Sequence, residues 1–210
     1  MEINEQIFTP VSSEKFPEVL KKIQTNSRNI SVAKCKIKFS VSINDNQKTK
    51  NYNARAVCLW QPNKKIRMRI SHILAGTIAD ILFDGKNWYI TDEQSAKIYV
   101  VKRIDTIRVS GFPKSFFTQM QRLPETWLPP IKSDIKIGEN ENSYQIILKN
   151  KNESFEWIFP LNSAFPSSMK INTTNNGNLI AVFERAETNF IANSIMFKPM
   201  LDGYKVIRNF

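Results

Sequence analysis

The chain is poor in the residues that most often carry catalysis and metal binding. Its 210 residues include one histidine, two cysteines and six glycines. With His72 as the single imidazole, a metal cluster or a Ser/His/Asp site would have to be assembled almost wholly from other residue types. There is no GxGxxG, no phosphate-binding P-loop and no HExxH. The carboxylates Asp80, Asp84, Asp92 and Glu93 fall in one hairpin region and have the composition of an acid and base pair. Asp84, however, stands before Gly85 where a turn former is wanted, and Asp92-Glu93 reads as a solvated turn. No enzymatic reaction, cofactor or metal is expected. No run of 18 apolar residues occurs, so no spanning helix is expected. The opening MEINEQIFTPVSSEK has acidic and polar residues where a signal peptide has a charged and then an apolar region, so either a cytoplasmic protein or one read without its signal segment is expected.

What is present is hydrophobic and alternating. Hydrophobic residues make up 41% and aromatics 11% of the chain, enough to bury a sizeable core, and residues 1–210 read as one β-rich domain. Thirty Lys and Arg against 19 Asp and Glu give a net charge of +11, which suits nucleic acid, anionic headgroups or an acidic partner. A joint excess of lysine with 21 Asn and 26 Ile is equally the mark of compositional drift. The cations are scattered singly along strand faces (Lys34, Lys36, Lys38; Arg67, Arg69), without the interleaved aromatics of a recognition module. Nucleic-acid binding is therefore not expected.

Along the chain, Phe16, Val19, Leu20 and Ile23 at i, i+3, i+4, i+7 predict an amphipathic helix over 12–26, with Ser12-Ser13 as caps. Ala33, Cys35, Ile37, Phe39, Val41 and Ile43 alternate with lysines and serines and predict a half-buried strand. After the polar turn 44–47, residues 50–60 return with Tyr52, Ala54, Ala56, Cys58 and Trp60 on one face. Ile66, Met68 and Ile70 alternate with Arg67 and Arg69 in a third strand. A hairpin over 77–83 and 87–91 turns at Asp84-Gly85, and 97–101 adds a sixth strand. The stretch 111–130 breaks the pattern. There Phe116, Phe117, Met120 and Leu123 share a helical face bracketed by prolines, which reads as a cover. Strands are expected again at 143–148, 153–159, 168–173, 179–185, 189–197 and 204–209, with a turn at 175–178. Cys35 and Cys58 share the apolar parity of neighbouring strands, and the turn between them sets them opposite one another. A cross-strand disulfide and two buried free thiols are both compatible with this placement.

Leu59-Trp60, Pro62-Asn63, Leu82, Asp84-Gly85-Lys86 and Trp88-Tyr89 together resemble the lipoprotein-carrier family of the bacterial cell envelope, the periplasmic carrier LolA and the outer-membrane receptor LolB. The likeness covers residues 13–101 and is topological beyond. It implies a mainly β (α+β) fold: an unclosed, curved antiparallel half-barrel whose apolar concave face is covered by an N-terminal helix and a short lid helix. It further implies non-enzymatic binding of the acyl chains of lipoproteins or lipids, for transport or insertion at the periplasmic face of the envelope. Any signal or lipid-anchor segment would lie outside the chain as read. Candidate cavity residues are Ile37, Phe39, Val41, Trp60, Ile66, Met68 and Ile70, with Phe116, Phe117 and Met120 from the lid. Each is equally compatible with an ordinary core side chain.

Two departures stand out. Gln61 occupies the position before the turn proline where the LolA carrier has an arginine, and only Ile73-Leu74 is a candidate for LolB's exposed leucine loop. A monomer with peripheral membrane contact is the expected state. An envelope sensor or scaffold that binds a partner protein with the same fold is the alternative reading.

Overall fold

The structure, a computed structural model, describes residues 6–27, 30–45, 48–61, 65–72, 76–93, 95–103, 134–163, 165–173 and 177–209. In chain order these form β1 (Thr9–Pro10), a 3-10 turn (Ser13–Lys15), α1 (Phe16–Ser27), β2 (Ala33–Asp45), β3 (Lys48–Gln61), β4 (Lys65–His72), β5 (Gly76–Phe83), β6 (Trp88–Asp92) and β7 (Lys97–Val101). Then follow β8 (Asp134–Glu139), β9 (Ser143–Lys149), β10 (Glu153–Pro160), β11 (Ser168–Thr173), β12 (Gly177–Thr188), a 3-10 turn (Ser194–Phe197) and β13 (Lys205–Asn209).

All thirteen strands join one sheet, in the order β1-β8-β9-β10-β11-β12-β2-β3-β4-β5-β6-β7-β13. The two end strands are not bonded to each other, so the curved sheet stays unclosed. It consists of two meanders, β2 to β7 and β8 to β12, joined edge to edge where β12 pairs with β2. The expected antiparallel order holds up to the last pair, where β13 lies parallel to β7, Lys205 opposite Lys97 and Asn209 opposite Val101. A parallel partner needs a crossover, and the intervening chain supplies it.

Local chemistry explains the hairpins. At the β5–β6 turn Gly85 takes φ 100°, a region open to glycine. The Asp84 carboxylate accepts the amide N–H groups of Lys86 and Asn87, both at 2.8 Å, and the Tyr89 hydroxyl at 3.1 Å. Burial pushes the Asp84 carboxyl up, but these hydrogen bonds outweigh it and hold it below its ordinary value. Asn140 and Asn150 do the same work before β9 and β10, each side chain accepting two amides further along. At the far edge, a Cβ on Gly138 would stand 2.8 Å from the Phe8 Cβ, so the glycine is what lets β1 lie against β8.

Two sequence expectations change. Residues 189–197 do not form a strand: Ile191, Ile195 and Met196 have no period of two, and the segment ends in a 3-10 turn capped by Asn193, whose side chain accepts the Ile195 N–H at 3.0 Å. The strand β8 was not anticipated, because only Ile135 and Ile137 mark its apolar face. The lid helix expected from Phe116, Phe117, Met120 and Leu123 falls outside the described residues, as do the turn expected at Pro62-Asn63 and the candidate Ile73-Leu74.

Candidate functional site

Register makes the inner face continuous. One row across the sheet reads Ile137, Ile146, Trp157, Met169, Ala181, Phe39, Ala54. A second reads Ile135, Leu148, Phe155, Ile171, Leu179, Val41, Tyr52. Nearer the other edge runs Cys35, Cys58, Met68, Ile81, Ile90, Tyr99. Helix α1 packs its buried Val19, Leu20 and Ile23 into the same cluster. Its polar side is tied down by Asn26, which donates to the Leu161 and Ser163 carbonyls at 3.2 and 3.3 Å. Lys22 sits 5.7 Å from the centre of the Tyr144 ring.

The sequence-predicted residues Ile37, Phe39, Val41, Trp60, Ile66, Met68 and Ile70 are all buried and all belong to this one cluster. Sequence reasoning left out the half of the face built by β8 to β12. The signal was there: Phe155, Trp157 and Phe159 alternate through β10 and are almost wholly buried.

Two buried polar atoms on this largely apolar face have no hydrogen-bond partner among the described residues, the indole nitrogens of Trp60 and Trp157. Both rings are held by aromatic neighbours, Trp60 beside Phe165 at 5.7 Å and Trp157 stacked on Phe155 at 5.5 Å. An unsatisfied buried donor costs about 1–3 kcal/mol. Their acceptors are to be sought among residues outside the described ones or in a ligand.

Cys35 and Cys58 face each other in register, both buried, both free thiols. Burial pushes both thiols up, and for Cys58 the charge of Cys35 adds to it. A thiol whose folded value lies above its unfolded one contributes stability that is whole below the unfolded value and is lost as the pH rises beyond it. Urea midpoints should therefore fall as the pH passes the ordinary thiol value of 9.0, and Cys58→Ala should lessen the fall. A midpoint flat to about pH 10 would contradict this.

The outer face is different. Here one row reads Glu184, Lys36, Val57, Arg69, Asp80, Thr91, Ile98, Val206, and its neighbour Glu187, Lys34, Leu59, Arg67, Leu82, Tyr89, Val100, Arg208. Asp80 is buried and accepts three hydrogen bonds from the Arg67 fork, at 3.0 and 3.2 Å from Nε and 2.5 Å from Nη2, with Arg69 at 3.3 Å. These bonds raise the Arg67 guanidinium above its ordinary value. Arg67 also donates to the Met196 carbonyl at 3.1 Å, and Tyr204 donates to Glu93 at 2.6 Å. The segment 189–204 is thus strapped over β4 to β7, closing a small cleft lined by Arg67, Asp80, Tyr89, Pro199 and Tyr204. Of the hairpin carboxylates, Asp80 and Glu93 hold this strap, Asp84 makes a turn and Asp92 accepts from Ser95. Among the described residues no group of three His, Cys, Asp or Glu is placed to hold a metal ion.

No family model and no curated protein matches the sequence. Solved structures match the fold. An uncharacterized conserved protein from Thermus thermophilus aligns with TM-score 0.55 and 8% identity over 92% of this chain and 98% of its own. A LolA superfamily protein from Nitrosomonas europaea aligns with TM-score 0.55 and 8% identity over 87% and 97%. A protein described as an outer-membrane lipoprotein-sorting domain, from Vibrio parahaemolyticus, aligns with TM-score 0.54 and 8% identity over 89% and 97%. At such identity the likeness is one of fold. The chain has the LolA-like open, curved sheet with an N-terminal helix, as the Trp60 to Tyr89 motifs led one to expect.

Proposed function

We propose that the protein, acting as a single domain, binds acyl chains of lipoproteins or lipids on the inner face of its sheet, without catalysing a reaction. It carries or inserts them on the periplasmic side of the bacterial envelope. The LolA-like fold supports the ligand class and the compartment. The observation that carries the reading is the pair of indole donors, Trp60 and Trp157, that lack a partner among the described residues and stand in a largely apolar face. An acyl chain has the matching chemistry, apolar along its length with carbonyl oxygens at its head. Ile37, Phe39, Val41, Ile66, Met68 and Ile70 would contact the methylenes, and Phe116, Phe117 and Met120 would close over them.

Desolvation supplies the energy. Each buried methylene contributes about 0.8 kcal/mol, so ten give about 8 kcal/mol from which ordering costs are then subtracted. The test is native mass spectrometry and lipid extraction of the purified protein, followed by titration with a fluorescent fatty-acyl ester and with an alkane probe. Wild type should bind both and prefer the ester. The double variant Trp60→Phe, Trp157→Phe should keep the alkane and lose about tenfold on the ester, one net hydrogen bond's worth or more. Protein that is recovered free of lipid and binds neither probe would end the proposal.

A further inference from the structure

The C-terminal strap displays apolar side chains to solvent. Ile191 is 99% exposed, Ile195 60%, Met196 38%, Met200 62% and Leu201 38%. The segment is not loosely laid down. The Asn189 N–H donates to the Val32 carbonyl at 2.8 Å, Asn193 caps the 3-10 turn, Phe197 is buried, and Arg67 and Tyr204 fasten the middle and the end. A connecting segment pinned at this many points yet apolar on its free side is an interaction surface.

From this we infer that the strap is a membrane-docking surface whose partner is a phospholipid bilayer with anionic headgroups. Charge complementarity selects that partner. Lys198, Arg208 and Arg185 are exposed on and beside the strap, against Asp202 and Glu187. The outer face that the strap crosses carries Lys34, Lys36, Arg55 and the half-exposed Arg69 in neighbouring rows, and the chain as a whole has a net charge of +11. The spacing of the apolar residues points the same way. Ile191, Ile195, Met196, Met200 and Leu201 follow neither a strand nor a helix period, so they present no ladder edge or knob row to a protein. Side chains inserted singly into a headgroup boundary need no fixed partner geometry. Docking by the outer face also leaves the inner face free.

Sedimentation with vesicles tests this, using phosphatidylcholine alone and equal parts phosphatidylcholine and phosphatidylglycerol. The intact protein should bind the anionic vesicles and bind the neutral ones weakly. The pair Ile195→Ser, Met200→Ser and, separately, the pair Lys198→Glu, Arg208→Glu should each weaken anionic binding about tenfold or more, with the urea midpoint and acyl-probe binding unchanged. Absence of vesicle binding, or binding that both pairs leave intact, overturns the inference. So does a dimer in light scattering that the serine pair abolishes, which would assign the patch to a second copy of the chain.

Discussion

Phe39→Asp is expected to abolish acyl binding and to remove most of the stability of the fold. Phe39 is 2% exposed and lies between Ala181 of β12 and Ala54 of β3, so its ring supplies the bulk where both neighbouring strands offer only a methyl group. A carboxylate there leaves a cavity and must either stay charged in hydrocarbon or bind a proton. The cost should exceed about 4 kcal/mol, against the 5–15 kcal/mol that holds most domains together. Two milder variants separate binding from folding. Phe39→Ala should cost about 3–5 kcal/mol, and Phe39→Leu about 1 kcal/mol with probe binding retained, because the hydrocarbon persists. Urea melts beside probe titrations check all three. An aspartate variant with a wild-type midpoint would show that this position is not the seam of the core.

Asp80→Asn should cost about 3 kcal/mol and loosen the strap. Removing one partner of a buried ion pair leaves the other charge stranded, and the side chains of Arg67 and Asp80 are only 13% and 10% exposed. Arg67 would then keep its bond to the Met196 carbonyl but lose the carboxylate that aims it. Amide exchange should quicken across 189–204 and stay slow in β2 and β3. Pairing Asp80→Asn with Arg67→Met should recover much of the loss, since an apolar replacement strands no charge. If the single variant melts like wild type, the Arg67–Asp80 pair is not what holds the strap.

Much of the sheet was legible because its chemistry is local. The alternation of Ala33 to Ile43 fixes which face of β2 is buried, the polar turn at 44–47 then sets the register of β3, and Cys35 opposite Cys58 follows from counting. Asp84 before Gly85 marks the next hairpin in the same way. What could not be read depends on distant chain. Asp80 carries no mark distinguishing it from an exposed carboxylate, and its burial follows from a segment more than a hundred residues later lying across it. The parallel seat of β13 on β7 leaves no local pattern either, and two isoleucines are too few to announce β8. The inner half-face of β8 to β12 belongs to the candidate site only once β12 is known to pair with β2.

That one seam has a consequence for how the chain folds as it is made. The strands β2 to β7 are near neighbours in sequence and can zip up as hairpins soon after they appear. The outward edge of β2 must wait for β12, about 140 residues later in the chain. During that interval a thirteen-residue strand, alternating and apolar on one side, stands with its hydrogen-bonding edge unmet, the template most prone to pair with another chain. Closing the seam is a long-range event whose entropy must be met before any contact rewards it. Lys34, Lys36 and Lys38, spaced along that waiting edge, give nascent copies a like charge that keeps them apart until β12 arrives.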